Sequence, residues 1–241
     1  MRDPASRVAR QNGGMPQPAF IAISHGTSSD EGRLAVSRLF DAVADRLPGV
    51  EVYLGHVDVQ EPDVATTLEA AEGPAVIVPL LLSAGYHVRV DLQRAIRDRD
   101  DVVIAAAMGP DARLAEVLAE RLGPLEPEQR VVLAVAGSSD ERANDDCRAA
   151  AKLLADVLGR DVTVGFLAAA EPRLDAAVAE AARDGDVVVA NYLLAPGYFH
   201  DLAVELAAGH RVADPLLLPD DAPPASLVEL VVDRYEAAAS A

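Results

Sequence analysis

Three side chains able to hold a transition metal follow three apolar runs of the chain. His25 comes directly after Ala19–Ile23, in ISHGTSSDEGR, Asp58 ends the run Val52–Val57, in GHVDVQEP, and His87 lies just past Ala75–Leu82, in PLLLSAGYHVRVDL. Two imidazoles and a carboxylate suit cobalt(II), iron(II), nickel(II) or zinc, and three protein ligands leave coordination positions open for an incoming ligand. Such a site serves transfer of an ion better than permanent storage. His56, two residues before Asp58, projects from the same face of a regular strand and is either an alternative ligand or part of a cleft wall.

The elements that must position these groups are legible from hydrophobic patterning. Further apolar runs fall at Val102–Ala107, Val131–Val135, Val162–Leu167 and Val187–Leu194, several too uniformly apolar for a sheet with one wet face, so strands covered on both sides are expected. Between them lie helical patterns, clearest in Asp30–Leu47, where Val36, Leu39, Phe40, Val43 and Leu47 share one face. Alternating strands and helices imply an α/β fold with a parallel, doubly wound sheet. Ligands of such sheets bind beyond the carboxyl ends of the strands, where His25, Asp58 and His87 are expected. Gly26 permits a tight backbone after His25, and the Ser/Thr/Asp cluster behind it can cap the next helix.

The two halves resemble each other. SSDE at 28–31 recurs at 138–141, Glu61-Pro62 as Glu171-Pro172, and Gly85-Tyr86 as Gly197-Tyr198, at offsets of 110, 110 and 112 residues. Ordered matches at nearly constant offset indicate an internal duplication into two similar doubly wound domains, 18–123 and 130–241, joined through Gly123–Arg130 and preceded by a disordered tail at 1–17. The duplication also acts as a control. Asp58 corresponds to Ala168, His25 to Val135 or Ala136, and His87 to Phe199, with His200 one residue on. The metal-competent set therefore belongs to the first half, and His200 is read as structural.

Composition narrows the function classes. Thirty-nine acids against 21 bases give a formal charge of -18, which repels polyanions and argues against nucleic-acid or anionic-membrane partners. Cys147 is the only cysteine, so thiolate metal sites and disulfides within the chain are excluded and a cytoplasmic setting is expected. No apolar run reaches the roughly 18 residues that suggest a membrane span. HGTSS leading into a helix would also suit a phosphate-binding module, but no GxGxxG or GxxxxGK[ST] pattern follows any strand.

Taken in order, ISHGT, the second-strand motif ending in QEP, and PLLLSAGYHVRVDL resemble the class II chelatases of the CbiX and SirB type, over residues 18 to 236. The resemblance implies an enzyme that inserts Fe2+ or Co2+ into sirohydrochlorin, in siroheme or cobalamin biosynthesis, with the metal as substrate and no organic cofactor. It further implies a second half that completes the cleft without binding metal, in a monomer of two pseudo-symmetric domains. Family members carry glutamate where this chain has Asp58, so the carboxylate is one methylene shorter. His25 and His87 are then the expected metal ligands and the source of a base, with Asp58 binding the ion, orienting an imidazole, or both. The carboxylate-rich macrocycle needs local donors against the protein's net charge: Arg33 and Arg89, with Ser28, Ser29 and Ser83 as hydroxyl donors, and Arg94 further off. A non-enzymatic carrier of metal or tetrapyrrole would use the same ligands without turnover.

Overall fold

The computed structural model describes residues 17–83, 86–207 and 209–241, and the backbone alone at 86–89. The expected N-terminal tail, apart from its last residue, lies outside these. In the first half β1 (Ala19–Ser24), β2 (Val52–His56), β3 (Ala75–Pro79) and β4 (Val102–Ile104) alternate with α1 (Asp30–Arg46), α2 (Val64–Ala70) and α3 (Tyr86–Ala95), and α4 (Ala112–Leu122) follows. The second half repeats the plan with β5 (Arg130–Val135), β6 (Val162–Phe166), β7 (Val187–Tyr192) and β8 (Arg211–Val212). Its helices are α5 (Glu141–Leu158), α6 (Leu174–Ala181), α7 (Tyr198–Leu206) and α8 (Ala225–Ala239).

Each half forms a four-stranded parallel sheet, ordered β2-β1-β3-β4 and β6-β5-β7-β8. This is the expected α/β, doubly wound arrangement in two similar copies. Strand order reverses between β1 and β3, so the crevice such sheets offer to ligands opens at the carboxyl ends of those two strands. Two strands end three residues before their apolar runs do. β3 stops at Pro79, and β4 gives way to a connection from Ala105.

Burial on both faces explains why the strands read as unbroken apolar runs. Phe20 and Ala22 of β1 face a central core, while Ala19, Ile21 and Ile23 face an outer one with Leu68 and Leu92. In the second sheet Val131, Leu133 and Val135 join the same central core, and Val132 and Ala134 pack outward with Leu174 and Val178. The central core is continuous across both sheets. α1, α4, α5 and α8 fill it, and the last helix of each half crosses to the other: α4 packs against α5 and β7, and α8 against α1 and β3.

Tyr235 of α8 fixes the second crossing. Its ring meets Phe20 edge-on at 5.7 Å, and its hydroxyl donates to the Pro18 carbonyl at 2.6 Å. No helix among the described residues is long and apolar enough to cross a membrane. Because α8 closes the core of the first sheet, Leu230→Ala, at a completely buried position, is expected to lower the unfolding free energy by about 2–5 kcal/mol. Urea denaturation measures it, and a loss under about 1 kcal/mol would show that α8 is dispensable to that core.

Candidate functional site

The site begins where the pairing of β1 and β2 runs past the ends of both strands. Val57 N–H donates to the Ser24 carbonyl at 2.9 Å, and Asp58 N–H to the His25 carbonyl at 3.0 Å. His25 and Asp58 are thus held as backbone neighbours at the carboxyl edge of the sheet, and both are exposed. Gly26 makes the approach possible. At φ +91°, a Cβ on this residue would lie 1.9 Å from the Asp58 carbonyl oxygen, which no L side chain tolerates.

A web of short bonds then shapes the loop. Thr27 N–H donates to the Gln60 side-chain oxygen at 2.8 Å, Ser29 N–H to the Thr27 hydroxyl at 3.1 Å, and Gly32 N–H to the Ser29 hydroxyl at 3.2 Å. The last of these caps α1. Arg33 reaches back from the first turn of α1, donating from Nε to the Thr27 carbonyl at 2.9 Å. On the other side, Asp58 turns one carboxylate oxygen to the N–H of Val59 at 2.8 Å. Val59 itself sits at φ 67°, a conformation a β-branched residue adopts only where its surroundings impose it.

His56 is buried. It is 5% exposed and its Nδ1 lies 2.8 Å from the Ser24 hydroxyl. Burial first, and the positive charge of Arg33 second, hold its imidazole below the ordinary range, partly opposed by Glu61. The side chains of His87 and Arg89 lie outside the described residues, although the backbone places both in the first turn of α3, which follows β3. Among the described residues no three His, Cys, Asp or Glu side chains gather as a metal-holding group. His25 and Asp58 are joined through their backbones.

The second half supplies the facing wall. A Cβ on Gly32 would meet the Pro196 carbonyl at 2.4 Å, and one on Gly197 would meet the Thr27 hydroxyl at 3.2 Å, so the loop after β7 rests on the loop after β1. Between them opens a cavity of about 580 Å³, lined by Ser28, Ser29, Tyr198 and His200 among others. Ser83 is turned to the buried thiol of Cys147, which burial chiefly pushes up to about 11. Arg94 pairs with Asp91 at 3.6 Å within α3, and His200 bonds Asn191 at 2.7 Å. Tyr192, buried at the end of β7, donates to the Leu82 carbonyl at 3.0 Å and so ties the second sheet to the segment leading toward α3.

The repeat aligns the halves more closely than the sequence matches. Leu167 and Ala168 donate to the Val135 and Ala136 carbonyls, both at 2.9 Å, the same pair of bonds made by Val57 and Asp58. Gly137 has φ 82° with the Ala168 carbonyl against it, and Ala169 has φ 55°. His25 therefore corresponds to Ala136 and Asp58 to Ala168. The SSDE match is one residue out of register, because Ser29 caps α1 whereas Asp140 caps α5. The helix starts at Tyr86 and Tyr198 place Phe199 opposite His87. Ser24, Thr27, Gln60 and Asn191 escaped sequence reasoning; only the QEP motif and the cluster after His25 signalled any of them.

The CbiX family model matches residues 19–125 and again 130–216, once in each half. A protein of Sulfolobus acidocaldarius named sirohydrochlorin cobaltochelatase is 25% identical over 109 residues, 42% of this chain and 87% of that one. A namesake in Methanosarcina barkeri is 27% identical over 81 residues, 32% of this chain and 62% of its own length, so this chain spans under two thirds of it. The structure of SirB from Bacillus subtilis with Fe3+ superposes with a TM-score of 0.72 at 21% identity, over 93% of this chain and 96% of that one. At that identity the likeness is one of fold.

Two outcomes test the loop and its wall. Gly26→Ala is expected to lower the unfolding free energy by about 2 kcal/mol or more, read from urea denaturation; a stability equal to wild type would refute the close approach. In the unfolded chain His56 regains a value near about 6.5, so below that pH the unfolded state binds the extra proton. The stabilisation is complete above this value and declines as pH falls through it. The stability difference between wild type and His56→Gln should therefore change between pH 8 and pH 5, and a constant difference would sink the assignment.

Proposed function

The chain belongs to the CbiX family, and on that premise we propose that it inserts Fe2+ or Co2+ into sirohydrochlorin, serving siroheme or cobalamin biosynthesis. The observation that carries the reading is the pairing of exposed His25 with Asp58 at the carboxyl edge of β1 and β2, one strand away from the start of α3. The matching positions of the second half hold Ala136 and Ala168 on the same backbone.

In this reading the metal is substrate. His25 and His87 bind it, and one of them takes a ring proton after releasing the ion. Asp58, with one oxygen held by its own turn, directs the other to the ion or to an imidazole. Sites of this kind leave coordination positions for the ring nitrogens, and nickel(II) or zinc would also be accepted. Ser28 and Arg89 contact the macrocycle's carboxylates, Ser29 and Arg33 hold the loop that presents His25, and Ser83 holds the junction between the halves. The protein works in the cytoplasm as a monomer, the second half closing the cleft.

Anaerobic assay with metal-free sirohydrochlorin and cobalt(II) or iron(II) checks this through the change in ring absorbance. Wild type should turn over many times at substrate excess, which a carrier would not. His25→Ala and His87→Ala, if folded, should lose on the order of 100-fold or more in kcat. Variants as fast as wild type would refute these roles, and a single stoichiometric event would favour the carrier.

A further inference from the structure

Inserting a dication replaces two ring N–H bonds by bonds to the metal, so two protons leave for each ion that enters, with no change of oxidation state. A neutral imidazole has one free nitrogen lone pair. While that pair holds the metal, as read above for His25 and His87, the same ring takes no proton. One ligand histidine takes a ring proton after it releases the ion, and the second proton calls for a base outside the ligand set.

His200 is placed to be that base. It is the third residue of α7 and lines the cavity shared with Ser28 and Ser29, which follow His25 by three and four residues. Its Nδ1 lies 2.7 Å from Nδ2 of the Asn191 amide, whose Oδ1 is buried without a partner among the described residues, and no other partner engages the ring among them. Asn191 is completely buried in β7, in a strand otherwise built of Val, Ala and Tyr. A buried amide in such surroundings is unfavourable unless it is hydrogen-bonded, and the one bond its side chain makes among the described residues goes to His200.

The repeat has no such pair in the first half. By sheet register, Asn191 corresponds to Pro79, and by the helix starts His200 corresponds to Val88. The pair therefore belongs to the second half alone and is no part of the shared scaffold. An amide serves either tautomer of the ring, donating from Nδ2 or accepting at Oδ1. With the amide turned about its last bond, so that Oδ1 accepts Nδ1–H, the lone pair of Nε2 is the free one.

We propose that His200 is a second working imidazole, outside the metal ligands, that accepts one ring N–H proton at Nε2, with Asn191 as its positioning residue. Glu31, Asp201 and Asp214 in the same cavity wall provide acceptors for passing that proton to solvent. The inference rests on the metal-insertion reading above.

The full-length protein is assayed anaerobically with metal-free sirohydrochlorin and cobalt(II). His200→Ala is expected to lower kcat on the order of 100-fold, with cobalt(II) binding to the protein alone within about twofold of wild type and free imidazole restoring part of the rate. His200→Gln, which keeps a partner for Asn191, should be folded and equally slow. A folded His200→Gln with wild-type kcat, or a slow His200→Ala that imidazole leaves unrescued, overturns the proposal and leaves the chelatase reading intact. A wild type that inserts no metal overturns both.

Discussion

The hydrogen bond from Asp58 N–H to the His25 carbonyl is the constraint on which the site depends. It carries parallel pairing one residue beyond β1 and two beyond β2, into a region where the chain must also turn toward α1. A side chain at position 26 would occupy the place of the Asp58 carbonyl, so glycine is required for reasons of volume as well as of φ. Once the two backbones are joined there, two exposed polar residues of separate segments are neighbours at the sheet edge. Arg33, Gln60 and the α1 cap then hold the loop in one shape.

The same constraint exists in the second half, and this separates scaffold from chemistry. Gly137, Ala168 and Ala169 reproduce the close approach and the left-handed residue after it, while the side chains are alanines. A backbone device of this kind survives without its functional groups because its bonds are made entirely by main-chain atoms. The second half has instead kept the wall. Its loop at Pro196 and Gly197 packs on Gly32 and Thr27, and Tyr192 reaches Leu82.

The exchange of terminal helices makes the two halves one packing unit. α4 closes the core of the second sheet and α8 that of the first, so the central apolar layer is shared. Parting the halves would expose the central layer to water, so the shared core opposes their separation.

The amino-acid sequence by itself determined the strands, their parallel order of succession, the duplication, and the candidates His25, Asp58 and His87. It could do so because uniformly apolar runs, a helical stripe such as Val36, Leu39 and Val43, and glycine at a forced turn are local signals. Only the tertiary structure decided that His56 is buried and bonded to Ser24, that His25 matches Ala136 instead of Val135, and that α4 and α8 change places. It alone paired Asn191 with His200. Each of these turns on which segments meet across 9 to more than 100 residues, and a periodicity confined to one segment carries no information about its partner.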